Sequence, residues 1–264
     1  MRRVSVEVGR LERFEVESGL VGYRSPLLSE LGVPHAFTTR HDGGGLALEI
    51  DGRDGSRGSE GRLHRLVQCD DVRPLLRVRQ VHADGVYRVV KPFDSLRSAT
   101  PPDADALVSK QKDGLLIIRV ADCVPILLAS CDGEMVAAIH AGWRGMVAGV
   151  IEQTVSAFEG REIVAAIGAS ISLRAFEVGP EVAQAFRSTE LAEVIHPGRE
   201  DRSHIDLRAA AKLQLERAGV IGIDSTDRCT FRDESEFHSY RRDVTGGAAE
   251  STGRMGAVIG RPSV

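Results

Sequence analysis

Residues 115–158, LLIIRVADCVPILLASCDGEMVAAIHAGWRGMVAGVIEQTVSAF, constrain the fold more than any other stretch. The first apolar run reads as a buried strand that delivers Cys123, and residues 131–134 read as a turn. A second buried strand then delivers His140. If the two segments pair as a hairpin, a cysteine and a histidine arrive close together on rigid backbone. His140 begins a glycine-flanked corner, His140-Ala141-Gly142-Trp143-Arg144-Gly145, which opens a helix. Val147, Val150 or Ile151, Val155 and Phe158 give that helix its buried face.

At 264 residues the chain can bury a sizeable core, as one large domain or two small ones. Hydrophobic residues at 42% and charged residues at 27% are those of an ordinary soluble globular protein. A net charge of -4 supplies no basic footprint for nucleic acid. No apolar run reaches the ~18–20 residues that span a bilayer, so no membrane partner is expected. The N-terminal MRRVSVEVGRLERFEVESG has no apolar core of a secretory signal. Four cysteines, Cys69, Cys123, Cys131 and Cys229, are too scattered for a disulfide framework. A reduced, cytoplasmic protein is expected.

Loose alternation over residues 3–16 suggests an N-terminal strand or hairpin. Residues 27–31 suggest a short helical turn closed by Gly32, and residues 35–40 a strand running into Gly43-Gly44-Gly45. Residues 42–62 hold seven glycines among charged residues and read as a surface loop or lid. Strand-like runs follow at 75–81, 85–90, 106–109 and 162–167. Pro180 suits the first turn of a helix over 180–188, and a second helical face runs from Leu207 to Ala218, closed by Gly219. Residues 229–231 and 255–259 are further apolar segments, and 239–254 is a polar, arginine-rich loop. Strands outnumber helices without strict alternation, which predicts an α+β fold.

His82, Cys123 and His140 each end, or lie just inside, an apolar run. Two imidazoles and a thiolate suit Zn²⁺ with a fourth position left for water or substrate. The separations are not those of a zinc finger. The same residues are compatible with a buried core cysteine beside ordinary histidines, or with a Cys–His nucleophilic pair oriented by Asp122 or Asp84. The glycines around Trp143 let backbone amides approach an anion, and Arg144 adds a planar fork suited to phosphate.

Taken together, Gln80-Val81-His82, Ala121-Asp122-Cys123-Val124-Pro125-Ile126, the His140–Gly145 corner, Phe176-Glu177-Val178-Gly179 and Ser239-Tyr240-Arg241-Arg242-Asp243 form an ordered set. That set resembles the bacterial laccase-domain, or polyphenol-oxidase-labelled, proteins associated with purine nucleoside phosphorylase and adenosine deaminase activity. Thr38-Thr39-Arg40 and the glycines behind it are similar to an early element of the same family. The resemblance implies one domain over 1–264, with mixed β-sheets flanked by helices in α/β/β/α layers. It implies zinc ligands at His82, Cys123 and His140, with copper as a substitute. It also implies that a purine nucleoside and phosphate are the partners, held by Arg40, Gln80, Gly142, Arg144 and Arg241. The chain departs from the family pattern over residues 168–179, where prolines and a cysteine pair are missing, and at His238, where the family has phenylalanine.

The leading expectation is a zinc enzyme that phosphorolyses adenosine or inosine, deaminates adenosine, or both, with Asp122 as a proton shuttle or ligand orienter. A copper oxidase would draw on Met135 or Met146 as an axial ligand. It would also need further copper ligands, and the six other histidines form no His-x-His pair. A Cys–His hydrolase with Cys123 as nucleophile, a peptidoglycan-precursor editing factor and a non-catalytic nucleoside-binding protein are the alternatives.

Overall fold

The computed structural model describes residues 7–16, 19–41, 63–68, 73–93, 100–247, 249 and 252–262. The glycine-rich segment 42–62 and Cys69 lie outside the described residues. In chain order the first strands are β1 (Glu7–Arg10), β2 (Glu12–Glu15), β3 (Val21–Arg24), β4 (His35–Thr38), β5 (Leu75–Leu76), β6 (Val86–Val89), β7 (Ala106–Ser109) and β8 (Leu115–Val120). They are followed by β9 (Val124–Ser130), β10 (Val136–Ala141), β11 (Ile163–Ile167), β12 (Glu177–Val178), β13 (Ile195–Pro197), β14 (Ser203–Ile205), β15 (Gly222–Ser225) and β16 (Met255–Gly260). The helices are α1 (Pro26–Glu30), α2 (Trp143–Ala148), α3 (Val150–Ser156), α4 (Pro180–Arg187) and α5 (Leu207–Arg217).

A seven-stranded mixed sheet has the order β1-β15-β11-β9-β10-β7-β6, and a six-stranded sheet has the order β2-β3-β4-β16-β8-β5. The two stack face to face. Along β9, Ile126 and Leu128 face the layer of α2, α3, α4 and α5, while Leu127 and Ala129 face the second sheet. β10 repeats the alternation with Ala137 and Ile139 on one side and Val136 and Ala138 on the other. A period of two buried on both faces is why these strands read as unbroken apolar runs. The far side of the second sheet, with Ala36, Leu115, Ile117 and Val258, is covered by Leu63, Leu66 and Val67 of a helical turn. The layering is thus α/β/β/α, an α+β architecture. The expected hairpin is present: β9 and β10 pair antiparallel, with His140 opposite Pro125.

Three local expectations are corrected, and two segments, 3–16 and 229–231, gain detail. Residues 115–130 are not one strand: β8 belongs to the six-stranded sheet and β9 to the seven-stranded one. The chain changes sheet at 121–123, where Asp122 has φ +91. Residues 3–16 supply two strands that never pair, because β1 joins β15 while β2 joins β3. Of residues 75–81 only Leu75–Leu76 is strand, with Arg79 in an isolated bridge to Asp103. The helix after Trp143 is interrupted at Gly149, whose φ of +92 closes α2 and opens α3. Residues 229–231 form no strand, only a bridge from Cys229 to Ser170.

Near α1, a buried polar knot joins both sheets. The Ser25 hydroxyl caps α1 by accepting from the backbone N–H of Leu28 at 3.1 Å, and itself donates to Asp224 at 2.6 Å. His35 Nε2 accepts from the backbone N–H of Ser25 at 2.8 Å, while Nδ1 donates to the Val33 carbonyl at 2.8 Å. The ring is thereby fixed as the neutral tautomer. Burial drives its pKa down to about 4, against the raising bond to Val33. A histidine whose folded pKa lies below its unfolded value of about 6.5 binds a proton more readily in the unfolded chain. Its contribution to stability is complete above about pH 6.5 and is lost as pH falls toward about 4, a span worth about 3 kcal/mol. Urea unfolding of the metal-free protein should show this acid loss, and His35→Gln should flatten it. An identical pH slope in the variant would acquit His35.

Candidate metal centre

Three separate backbone features bring the ligands together. His82 lies in the bend after Arg79, with φ +58. Cys123 sits where the chain crosses between sheets, and His140 near the end of β10. Left-handed φ at non-glycine residues costs of order 1–3 kcal/mol and persists where surroundings over-determine it. Here two such residues, His82 and Asp122, are a ligand and a ligand's neighbour. One ligand atom from each of His82, Cys123 and His140 lies within 4.8 Å of the others, close enough to share one ion. The two rings meet edge-on, centroids 4.7 Å apart at 86°.

Asp105 holds this arrangement and is the residue that sequence reasoning missed. Fully buried, it accepts from the consecutive backbone N–H groups of Val81 (3.2 Å), His82 (3.0 Å) and Ala83 (2.7 Å). It also accepts from His140 Nδ1 at 2.7 Å, which leaves Nε2 to face the other ligands. Its only sequence signal is a carboxylate directly ahead of a buried apolar strand, in Asp103-Ala104-Asp105-Ala106-Leu107. Burial opposes its ionisation, but His140 and the amides hold it below the usual carboxylate range. Burial also pushes the Cys123 thiol up, yet the charge of His140 and bonds from both histidines bring it down to about 6. His140 moves the other way: burial lowers it, and Cys123 with Asp105 raises it to about 9. A thiolate near neutral pH, and an imidazole whose Nδ1 proton stays on Asp105 while an ion displaces the one on Nε2, form a donor set that suits Zn²⁺ or a copper ion.

The ligands open onto a cavity of about 950 Å³. Of the residues expected from sequence, Gln80, Asp122 and Arg241 also line it. Gln80 spends its side-chain amide on the backbone of Arg119, accepting at 2.8 Å and donating at 2.7 Å. Asp122 commits both carboxylate oxygens, one to the Thr230 hydroxyl at 2.6 Å and one to the Arg241 backbone N–H at 2.7 Å. Gly142 packs against the ligands themselves: an added Cβ would lie 3.1 Å from His82 Cδ2 and 3.2 Å from Cys123 Sγ. Arg144 is exposed, stacks on Trp143 at 4.3 Å and is not among the cavity's residues. Arg40 likewise lies off the lining, donating to the Glu234 carbonyl at 2.5 Å. Asp84 accepts from Gln153 at 2.6 Å rather than meeting a histidine. Met135 and Met146 are buried in the core between helices and sheet.

Loss of an outer-sphere carboxylate commonly lowers metal affinity about 10–100-fold. Asp105→Asn should do so in chelator competition, because an amide cannot accept all four donors. Gly142→Ala should also weaken the site, since the new methyl presses on two ligands. Wild-type affinity in both variants would show that neither residue shapes the centre.

A family model described as multi-copper polyphenol oxidoreductase laccase matches residues 34–262. Among relatives, the purine nucleoside phosphorylase of Deinococcus radiodurans is 37% identical over 92% of this chain and 94% of its own length. The Escherichia coli purine nucleoside phosphorylase YfiH is 39% identical over 69% of this chain and 72% of its own. The crystal structure of a Neisseria meningitidis protein superposes with TM-score 0.75 at 30% identity, covering 93% of this chain and 100% of that one. YlmD from Geobacillus stearothermophilus gives TM-score 0.77 at 28% identity, covering 95% and 99%. With a matched model spanning most of its length and a His–Cys–His centre built as described, the chain belongs to the multi-copper polyphenol oxidoreductase laccase family.

Proposed function

We propose that this chain is a zinc enzyme acting on purine nucleosides, by phosphorolysis of adenosine or inosine, by deamination of adenosine, or by both. The observation that carries the reading is the opening of the His82–Cys123–His140 cluster onto a cavity with both aromatic and cationic walls. Phe176 and the half-exposed Tyr240 supply flat faces for a base. Arginines supply charge for an anion beside the sugar. A zinc ion held by the three ligands would supply Lewis-acid polarisation and acidify a bound water. The purine relatives named above support this substrate class.

The chain's own residues have definable tasks in that scheme. Asp105 keeps the His140 tautomer fixed, so its Nε2 stays a ligand. Asp122, its oxygens already engaged, acts by orienting the Cys123 bend and the Arg241 segment. Gln80 holds Arg119 at the cavity wall. Gly142 leaves the space that the ligands occupy.

One arrangement favours a second reading. The line Cys123–His140–Asp105 has the order of a cysteine hydrolase, with Asp105 steadying the base. Such a thiol would be alkylated without losing metal, whereas a liganding thiolate would be protected by it. Laccase chemistry needs several coppers. Among the described residues, His82, Cys123 and His140 are the one such cluster of three or more metal-binding side chains.

Product analysis by chromatography and mass spectrometry tests the proposal. Zinc-loaded protein should convert adenosine to adenine and ribose 1-phosphate when phosphate is present, or to inosine without it. His82→Ala should abolish either conversion. Intact adenosine under both conditions would overturn the purine reading.

A further inference from the structure

The inward face of α5 carries Leu207, Ala210, Ala211 and Leu215, and among these apolar residues stands Gln214, only 4% exposed. Its Nε2 donates to the Met146 carbonyl at 2.9 Å and to Glu152 Oε2 at 3.1 Å. Turning the amide over would set its oxygen against a carbonyl and a carboxylate, so those two acceptors fix which way it faces. Its Oε1 is then a buried acceptor that meets no donor among the described residues. An acceptor in that position is destabilising until something donates to it.

Gln214, Glu152 and Met146 line a second cavity, of about 740 Å³, within the helical layer. It shares no residue with the cavity at the metal centre, and its volume is that of a small-molecule site. Val155, Ile163 and Leu191 give it apolar walls. Its polar groups lean to one sign. The last residues of α3 and α5, Ser156 and Arg217, line it, as does Thr189 just past the end of α4. A helix C-terminus carries partial negative charge. The opposite end of α3, at Gly149, adjoins the C-terminus of α2, so those two ends offset each other. The half-buried Glu152 and the exposed Glu162 add carboxylates. Both arginines on the wall are engaged. Arg161 donates to Asp132 at 3.2 Å and Glu159 at 3.3 Å, and Arg217 to Glu193 at 3.2 Å and the Glu190 carbonyl at 2.8 Å.

We propose that this cavity binds an organic ammonium ion with an apolar body, whose N–H groups donate to Gln214 Oε1 and to the Glu152 carboxylate. An ammonium carries three donors and no acceptor, so it meets the orphaned oxygen and the carboxylate together while Gln214 Nε2 keeps its own bonds. A neutral alcohol brings a single donor. An anion meets a carboxylate and helix ends of its own sign. The site is independent of the purine reading, since it lies apart from the metal centre.

The probe is n-hexylammonium, titrated calorimetrically into zinc-loaded protein beside n-hexanol and hexanoate. Hexylammonium should saturate one site at least about 10-fold more tightly than hexanol, and hexanoate should not bind. Glu152→Gln should weaken the amine at least about 10-fold, with zinc content and the ligand-free melting temperature close to wild type. Gln214→Met, which keeps the length and removes the acceptor, should weaken it as well; if that variant does not fold, Glu152→Gln decides alone. A primary amine can also seek the metal, so His82→Ala is titrated too and should bind hexylammonium as the wild type does. Wild-type amine affinity in Glu152→Gln overturns the site, and so does loss of binding in His82→Ala. Hexanol bound as tightly as the amine, or no saturable amine binding, overturns it equally.

Discussion

The metal centre depends on one buried carboxylate. Removing an anion from water is costly unless its lone pairs are met, and Asp105 meets four donors while fully buried. Three are consecutive amides, so the carboxylate dictates the turn that carries His82 into positive φ. The fourth is the far nitrogen of His140. The backbone of Asp105 is locked as well: its N–H donates to Gly85 at 2.9 Å and its carbonyl accepts from His140 at 2.8 Å. Two ligands from distant parts of the chain are in this way referred to a single residue, and that residue to the start of β7, an interior strand paired with β10 and β6.

The third ligand is placed by topology. Because β8 and β9 belong to different sheets, the chain must cross between layers in the three residues 121–123, and Cys123 ends that crossing. Asp122 takes the backbone through the left-handed region, and its side chain then reaches forward to Thr230 and Arg241. A displacement of the crossing would move Cys123 and the arginine-bearing loop together. The metal centre and this loop are therefore coupled mechanically, although they belong to different parts of the sequence.

The two-sided burial of residues 124–130 and 136–141 made the hairpin legible, and with it the approach of Cys123 to His140. The helix over 207–217 and the one that Pro180 begins were legible for equally local reasons, a one-sided apolar stripe and a preset φ. The sheet change at 121–123 was hidden because apolar residues continue on both sides of it, and periodicity records burial without saying in which sheet. Asp105 was hidden because a polar residue beside a strand usually faces water. Only the three-dimensional meeting of the 81–83 turn with β10 reveals its donors. Arg144, one residue beyond Trp143 at a helix start, turns outward and stacks on the indole, a placement that its neighbours in sequence do not record.

Neutralisation is also what gives the cavity its sign. The chain as a whole carries -4, yet four described carboxylates around this cavity are answered locally. Asp105 is met by His140, Asp103 by Arg79, Asp243 by Arg242 and Thr252, and Asp122 by a hydroxyl and an amide. Among the described residues that line the space, Arg241 and Arg254 donate to backbone carbonyls, and they stand with a ligand set whose thiolate would offset only half the charge of a divalent ion. A concave, partly apolar wall strengthens such a field, because lines of force leave through the opening rather than through solvent on all sides. An acidic protein thereby sets arginines on the wall of this cavity. Phe176 and Tyr240 line the same cavity, so charge and flat aromatic surface are presented together.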